Sequence, residues 1–536
     1  MGEAESVTDV NEFESKAYQP DKLTPAEEIQ KIRLTPKLPQ FRELQMISGV
    51  VIRTFKDSAT LIKSNSFRYL FDKATRQVYI VGDNREFRSF INENFGINSE
   101  FKYVLNEIEK EIEFRGQESQ VFRFAFYDKL QNRLFIDRRN GQVLMLDGES
   151  IQVLDNGASG VFFINSEKSE PIIYEEAESK NCYFCDKGFR FGAPDWVVDS
   201  PLLNTLTGGL QFVGALTEDE QKSLLLLMIY VIFFESLHPT KPVVVVTGSK
   251  GSGKTDLCRN IGRILFGKTF NVTRFRNDER DFITTCAHNY LIVLDNLEEK
   301  AKWLMDMVAI IATGGETKLR ELHTTCTQIV IKLTSFLFLN AIDPKLRRDD
   351  IADRLLIIQL DRLNKFKSET EIENEIREAS PKIWGEILLN LNGIIRCLKK
   401  DETIPPGKFR LQDFENFAKR ICANPEEIEA TLEKLEGLRS EYSLQNDNLC
   451  LFLDKWLDKE SIAGGSNIGL HVTAKELLFS FQEIAKIEKL DFFYSTPNAL
   501  GKKIHQIEPE LKRLFELEVM PEKGGRPTGY KFMKKR

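Results

Sequence analysis

The spacing of hydrophobic positions changes several times along this chain, and each change marks a candidate boundary. Over residues 1–45 apolar positions follow no sustained period and prolines stand at 20, 25, 36 and 39. Such a stretch buries too little to order itself, so it reads as a flexible tail. From 46 to 200 the segments are short. Residues 78–81 lead into a Gly82-Asp83-Asn84 turn and an amphipathic helix, while 122–127, 133–137 and 143–146 read as strands, with Asn140-Gly141 as a turn. An N-terminal α+β domain over 46–200 is expected. Between 201 and 365 apolar runs alternate with helical spacing, the pattern of a parallel sheet covered on both faces. Residues 366–440 read as helical throughout, and 441–536 start a further domain with helices near 447–458 and 473–487.

The longest apolar run, 224–234, falls well short of the roughly 20 residues that span a bilayer. Thr217 and Glu220 just before it form a capping box, so the run reads as a buried helix and no membrane partner is expected. The eight cysteines are scattered, and only Cys182 and Cys185 stand as CxxC. With no histidine near them to complete a four-ligand zinc set, they read as ordinary loop thiols in a reducing, cytoplasmic setting.

Charge adds one distinction. The net charge of −7 is small for 536 residues, and residues 1–30 carry eight Asp/Glu against two Lys. The remainder is near neutral, so any anion-binding face is local. From Thr496 to the end there are ten Lys/Arg against five Glu. Lys502 and Lys503 lie on a predicted helix and Arg526 in a glycine-rich hairpin, the arrangement of a winged helix-turn-helix that contacts DNA phosphates. A winged helix that docks protein instead would show the same pattern.

The sharpest chemical signal follows the apolar stretch 241–247. Gly248, Ser249, Lys250, Gly251, Ser252, Gly253, Lys254 and Thr255 spell G-x-x-x-x-G-K-T between a strand and a helix. Glycines there let backbone N–H groups close around phosphates at a helix N-terminus; Lys254 would reach the β- and γ-phosphates of ATP and Thr255 would ligate Mg²⁺. Asp295 ends the apolar strand 290–295 and is the expected metal-holding carboxylate. It is followed by Asn296 where many ATPases carry a water-polarising glutamate, so Glu298, one turn on, is a candidate substitute. Asn340 ends another apolar strand and could orient water. Arg354 follows Asp353; it reads as an arginine finger for a neighbouring subunit or as a surface Arg paired with that Asp. Residues 46–200 hold no D-x-D metal pair, so a primase, if one acts here, is a separate chain.

Glycine loop, Asp295-Asn296, Ala312-Thr313-Gly314-Gly315, Arg320-Glu321-Leu322, Asn340 and Asp353-Arg354 together resemble the AAA+ ATPases of prophages and mobile elements, relatives of superfamily III and primase-associated helicases. Weaker similarity touches Phe124-Ala125, 134–137, Pro381 with Gly385, and 409–414. The resemblance implies a P-loop AAA+ core over 201–365, a helical lid over 366–440 and a winged helix over 441–536. It further implies a hexameric ring that hydrolyses ATP and moves along DNA. Lys318, Arg320 and His323, the last standing where a Tyr is usual, could line its pore; Arg320 could alternatively reach a neighbour's γ-phosphate or be solvated. A rival reading of the same residues is an ATP-dependent switch that binds DNA or a partner without unwinding.

Overall fold

The computed structural model describes residues 23–64, 67–164, 171–185, 188–192, 199–274, 277–295, 302–320, 328–341, 349–400, 407–445, 448–463, 470–488, 490–519 and 529–532. The chain forms two compact units, 1–120 and 121–536. The division falls inside the segment 46–200 that the periodicity groups as one domain.

In the first unit three helices owe their form to apolar residues four apart. Ile47, Val51 and Phe55 lie on Gln40–Ser58, Phe87, Ile91 and Phe95 on Arg85–Phe95, and Val104, Ile108 and Ile112 on Phe101–Arg115. All nine are buried in one core with Ile29 and Ile32. Those two isoleucines belong to the helix Pro25–Arg33, which Thr24 and Glu27 close with a capping box. The expectation of a tail over 1–45 therefore does not extend to these residues: two buried side chains and a satisfied N-terminus suffice to order them. A four-stranded sheet in the order Gln77–Ile80, Phe67–Asp72, Ala59–Ser64, Gln117–Glu118 completes the unit.

In the second unit a four-stranded meander, Ala125–Asp128, Arg133–Arg139, Gln142–Leu146 and Ile151–Asp155, turns at Asn140-Gly141. Both turn residues have positive φ, 53° and 72°, as a tight hairpin requires. Phe124 joins Phe233, Phe266 and Tyr290 at centroid distances of 5.1, 4.6 and 5.4 Å. This aromatic cluster explains why the unit begins at Val121, well inside 46–200. The central sheet runs Gln211–Phe212, Leu355–Asp361, Val243–Gly248, Phe336–Ala341, Leu291–Asp295, Thr273–Arg274, parallel except at its first strand. Its interior strands are buried on both faces, which is why they read as unbroken apolar runs. The run 224–234 is a buried helix, Glu218–Val231, continued by a 3₁₀ turn; Thr217 and Glu220 form its capping box. Among the described residues no helix is long and apolar enough to cross a membrane.

Helices Glu369–Lys399, Gln412–Ile421 and Pro425–Gln445 follow. The last runs past residue 441, where the sequence suggests a new domain. Beyond it Asn448–Ala463, Ala474–Glu488, Pro497–Gln506 and Glu508–Phe515 pack with a three-stranded antiparallel sheet, Leu470–Val472, Tyr530–Phe532, Glu518–Val519, around their own core. Cys182 and Cys185 form a disulfide, which corrects the reading of two ordinary thiols: the turn at 182–185 brings their Cα atoms to 5.7 Å, within bridging range.

One buried acid links the helix Pro201–Thr207 to the helix Glu369–Lys399. Glu386 accepts from Ser200 Oγ at 2.6 Å and from the Leu202 N–H at 2.9 Å. Burial pushes its carboxyl from 4.5 up to about 7. Between those two values the folded protein holds a proton that the unfolded chain has released, so raising the pH through the window destabilises the fold. Wild type should thus lose melting temperature relative to Glu386→Gln as pH rises from 4.5 to 7. A difference independent of pH would refute this.

Candidate functional site

Six residues of Val243–Gly248 pair with Leu355–Leu360 on one side, and five with Leu337–Ala341 on the other. The strand therefore ends rigidly, and the chain must turn at once into the helix Lys254–Phe266. It does so through glycines at φ 151°, 79° and 80° (Gly248, Gly251, Gly253), values that side chains resist. Space is equally restrictive. A Cβ on Gly248 would lie 2.0 Å from the Leu360 carbonyl oxygen, and one on Gly253 2.9 Å from Leu210 Cδ2. The result is a tight backbone turn directly before a helix N-terminus, the end of a helix that favours anions.

Lys254 lies over this turn. Its Nζ donates to the carbonyls of Gly248 and Ser249, both at 2.8 Å, and to Ser252 Oγ at 3.2 Å. Partial burial lowers the pKa of the ammonium while the charge of Asp295 opposes that shift. Thr255 Oγ1 donates to Asp295 Oδ1 at 3.2 Å, so the loop and the acid-bearing strand meet at one point. Register accounts for the meeting. Leu294 pairs with Leu339, which puts Asp295 and Asn340 next in line, and Asn340 itself pairs with Val246. All three strands are parallel, so their C-terminal ends lie on the same edge.

Asn340 is 1% exposed. Its Oδ1 accepts from the Cys258 thiol at 3.0 Å, whereas its Nδ2 has no hydrogen-bond partner among the described residues. Leaving a buried amide donor unpaired is costly. Cys258 stays a thiol, since burial pushes its pKa far up and Asp295 adds to this. These contacts were not visible in the sequence, nor was Ser249 Oγ donating to Asp361 at 3.3 Å or Leu363 N–H donating to Gly251 O at 3.1 Å. Each joins residues remote in the chain, and only the ends of apolar strands hint at them. Lys250 is exposed on the loop.

Arg354 is not near this edge. Its carbonyl accepts from Val243 N–H at 2.9 Å, at the start of both strands. The seven-residue strand Leu355–Asp361 then rises roughly 23 Å before reaching the loop. Arg354 cannot touch a phosphate bound in its own loop.

The remaining candidates lie elsewhere. Lys318 is exposed on the hairpin of Glu316–Arg320 with Gln328–Lys332, opposite Val330. Lys502 is exposed and Lys503 half-buried on the helix Pro497–Gln506. Asn296, Glu298, His323 and Arg526 lie outside the described residues, as does the side chain of Arg320.

Several residues that carry the family resemblance are joints. Gly314, at φ 62°, passes so close to Pro239 that a Cβ would lie 2.5 Å from its carbonyl oxygen, and Ala312 O accepts from Lys241 N–H at 2.8 Å. Asp413 takes Thr240 N–H and Oγ1 at 3.0 and 2.6 Å. Gly385 leaves room for the Glu175 carbonyl, 2.0 Å from where a Cβ would be, and Pro381 O accepts from Glu175 N–H at 3.0 Å.

Residues 212–447, which contain the loop, Asp295, Asn340 and Arg354, match the family described as the actinomycete integrative conjugative element replication protein. No curated protein matches. Among solved structures, the chain is similar to the apo NrS-1 C terminal region, with 12% identity and a TM-score of 0.39 over 90% of this chain and 98% of that one. A JCV helicase bound to a thiazolopyridine compound gives 11% identity and a TM-score of 0.20 over 45% and 65%.

Gly248→Ala should lower unfolding free energy by about 1–3 kcal/mol, the usual cost of forced backbone strain. Lys250→Ala, on an exposed side chain, should stay within about 0.5 kcal/mol of wild type. Urea melts of both variants check this, and equal stabilities would mean that Leu360 does not constrain Gly248.

Proposed function

We propose that this chain is an ATP-driven replication motor, a DNA helicase or translocase of a mobile element, hydrolysing ATP between subunits of a ring. The observation that carries this reading is the Thr255–Asp295 hydrogen bond at 3.2 Å beside the glycine loop. A hydroxyl and a carboxylate there suit a hard divalent cation, and Lys254 suits phosphate oxygens. The match of 212–447 to a replication protein family supports the replicative setting.

In this reading the phosphates lie on the loop N–H groups, and Lys254 exchanges the Gly248 and Ser249 carbonyls for β- and γ-oxygens. Thr255 and Asp295 hold Mg²⁺, which when bound neutralises phosphate charge. Asn340 Nδ2 turns to the attacking water or the γ-phosphate, and Glu298 polarises that water where Asn296 replaces the usual glutamate. Arg354 reaches the γ-phosphate of an adjacent copy, since the length of its own strand rules out its own loop. A hexamer with Lys318, Arg320 and His323 toward one DNA strand, and a winged helix with Lys502, Lys503 and Arg526 on duplex phosphates, completes the proposal. A separate primase is an expected partner.

Lys254→Ala and Asp295→Ala should each abolish ATP hydrolysis and displacement of a strand from a forked duplex while remaining folded. Near-normal turnover in both variants would overturn the site. DNA-stimulated hydrolysis by wild type without strand displacement would favour the ATP-dependent switch.

The joint substitution of Lys502 and Lys503 by Ala should weaken duplex binding and leave basal ATPase intact. The log–log salt slope should become shallower by about 0.9 for each phosphate no longer neutralised. Unchanged affinity and slope would mean that this domain docks protein.

A further inference from the structure

Asn340 stands on the strand Phe336–Ala341, between the loop strand on one side and Leu291–Asp295 on the other. The helix Lys254–Phe266, which leaves the glycine loop, packs against that strand. Cys258 meets Asn340 there, its thiol donating to Oδ1 at 3.0 Å, and both side chains are buried. Helical spacing accounts for the placement. Residues four apart share a face, so Cys258 lies on the same side of the helix as Lys254. The charge of Asp295 acts on both side chains.

A carboxamide is planar and two-sided. Its oxygen accepts and its nitrogen donates, and a half-turn about the last side-chain bond exchanges the two. At Asn340 that exchange would alter what is offered to a nucleotide. A donor can hold a phosphate oxygen, whereas an oxygen in its place would repel it. Cys258 tells the two orientations apart. Burial, with the charge of Asp295 adding to it, keeps the thiol protonated and therefore a donor. With the amide oxygen toward it an S–H···O bond forms; with the amide reversed, N–H meets sulfur, a poor acceptor.

We propose that Cys258 is a positioning residue: its thiol holds Asn340 Oδ1 and so fixes Nδ2 as the end of the amide presented to the γ-phosphate or the attacking water. This rests on the part given to Asn340 above. Cys258 touches neither nucleotide nor metal and acts only through Asn340. Its loss should therefore lower kcat and leave KM for ATP nearly unchanged.

The test is steady-state ATP hydrolysis by the full chain and its variants, with melting temperatures read alongside. Cys258→Ala removes the donor and should lower kcat about three- to tenfold, the scale of one hydrogen bond. Cys258→Ser keeps a donor and should retain most of the turnover. Cys258→Val fills the same space without a donor; it should fall with Cys258→Ala, and it replaces that variant if Ala melts below the assay temperature. A packing role predicts the opposite order, because Val keeps an apolar wall whereas Ser buries a hydroxyl. Donor-free variants that turn over normally, a Cys258→Ser no better than they are, or a loss confined to KM overturns the proposal. Asn340→Ala separates it from the reading it rests on. If Asn340→Ala loses hydrolysis while the donor-free Cys258 variants do not, only the role of Cys258 falls. If Asn340→Ala hydrolyses normally, the part given to Asn340 falls and this inference with it, and a wild-type chain that hydrolyses no ATP overturns both.

Discussion

Two backbones meet at Gly248 more closely than any side chain would permit, and much of the site follows from that approach. Because Gly248 pairs with Leu360, the chain leaving the strand Leu355–Asp361 passes directly along the glycine loop. Asp361 then reaches Ser249, Leu363 hydrogen-bonds Gly251, and Phe366 lies against the same glycine. The loop is held from outside as well as by its own φ values. A methyl group at Gly248 would separate strands that are otherwise paired along six residues.

Legibility in the sequence followed distance along the chain. The loop, Asp295 and Asn340 were readable because each is announced by an apolar run of four or five residues directly before it. The helix at 85–95 was readable because Asn84 caps it with a bond to Phe87 N–H at 2.9 Å, a purely local contact. What escaped is long-range: Cys258 on Asn340, Arg410 on Asp353, and the aromatic cluster around Phe124 that makes the second unit begin at Val121. The ordered helix Pro25–Arg33 escaped for a different reason. Its four charged residues mask a two-residue apolar stripe, Ile29 and Ile32, too short to register as a period.

Residues that accompany a phosphate-binding signature need not serve it chemically. Gly314, Gly385 and Asp413 all stand out in the sequence, and all are explained by backbone that passes close by. Gly314 and Asp413 flank the start of the loop strand, through Pro239 and Thr240 respectively. They fix the end of that strand opposite the glycine loop, which keeps its glycine end in register with Asp295 and Asn340.

The 31-residue helix Glu369–Lys399 is, mechanically, a beam of roughly 46 Å. At one end Glu369 and Glu373 are gripped by Arg259 and Arg263, from the helix that begins at Lys254. Near its middle Trp384 Nε1 donates to the carbonyl of Ile264 at 3.2 Å, a second anchor on the same helix. At the far end Arg396 bonds Gly148 O and Cys185 Sγ. The half of the beam before Trp384, about 22 Å at 1.5 Å of rise per residue, is therefore pinned at two points to the one helix that leaves the glycine loop, and the half beyond it carries that constraint on to Gly148 and the disulfide-bridged turn.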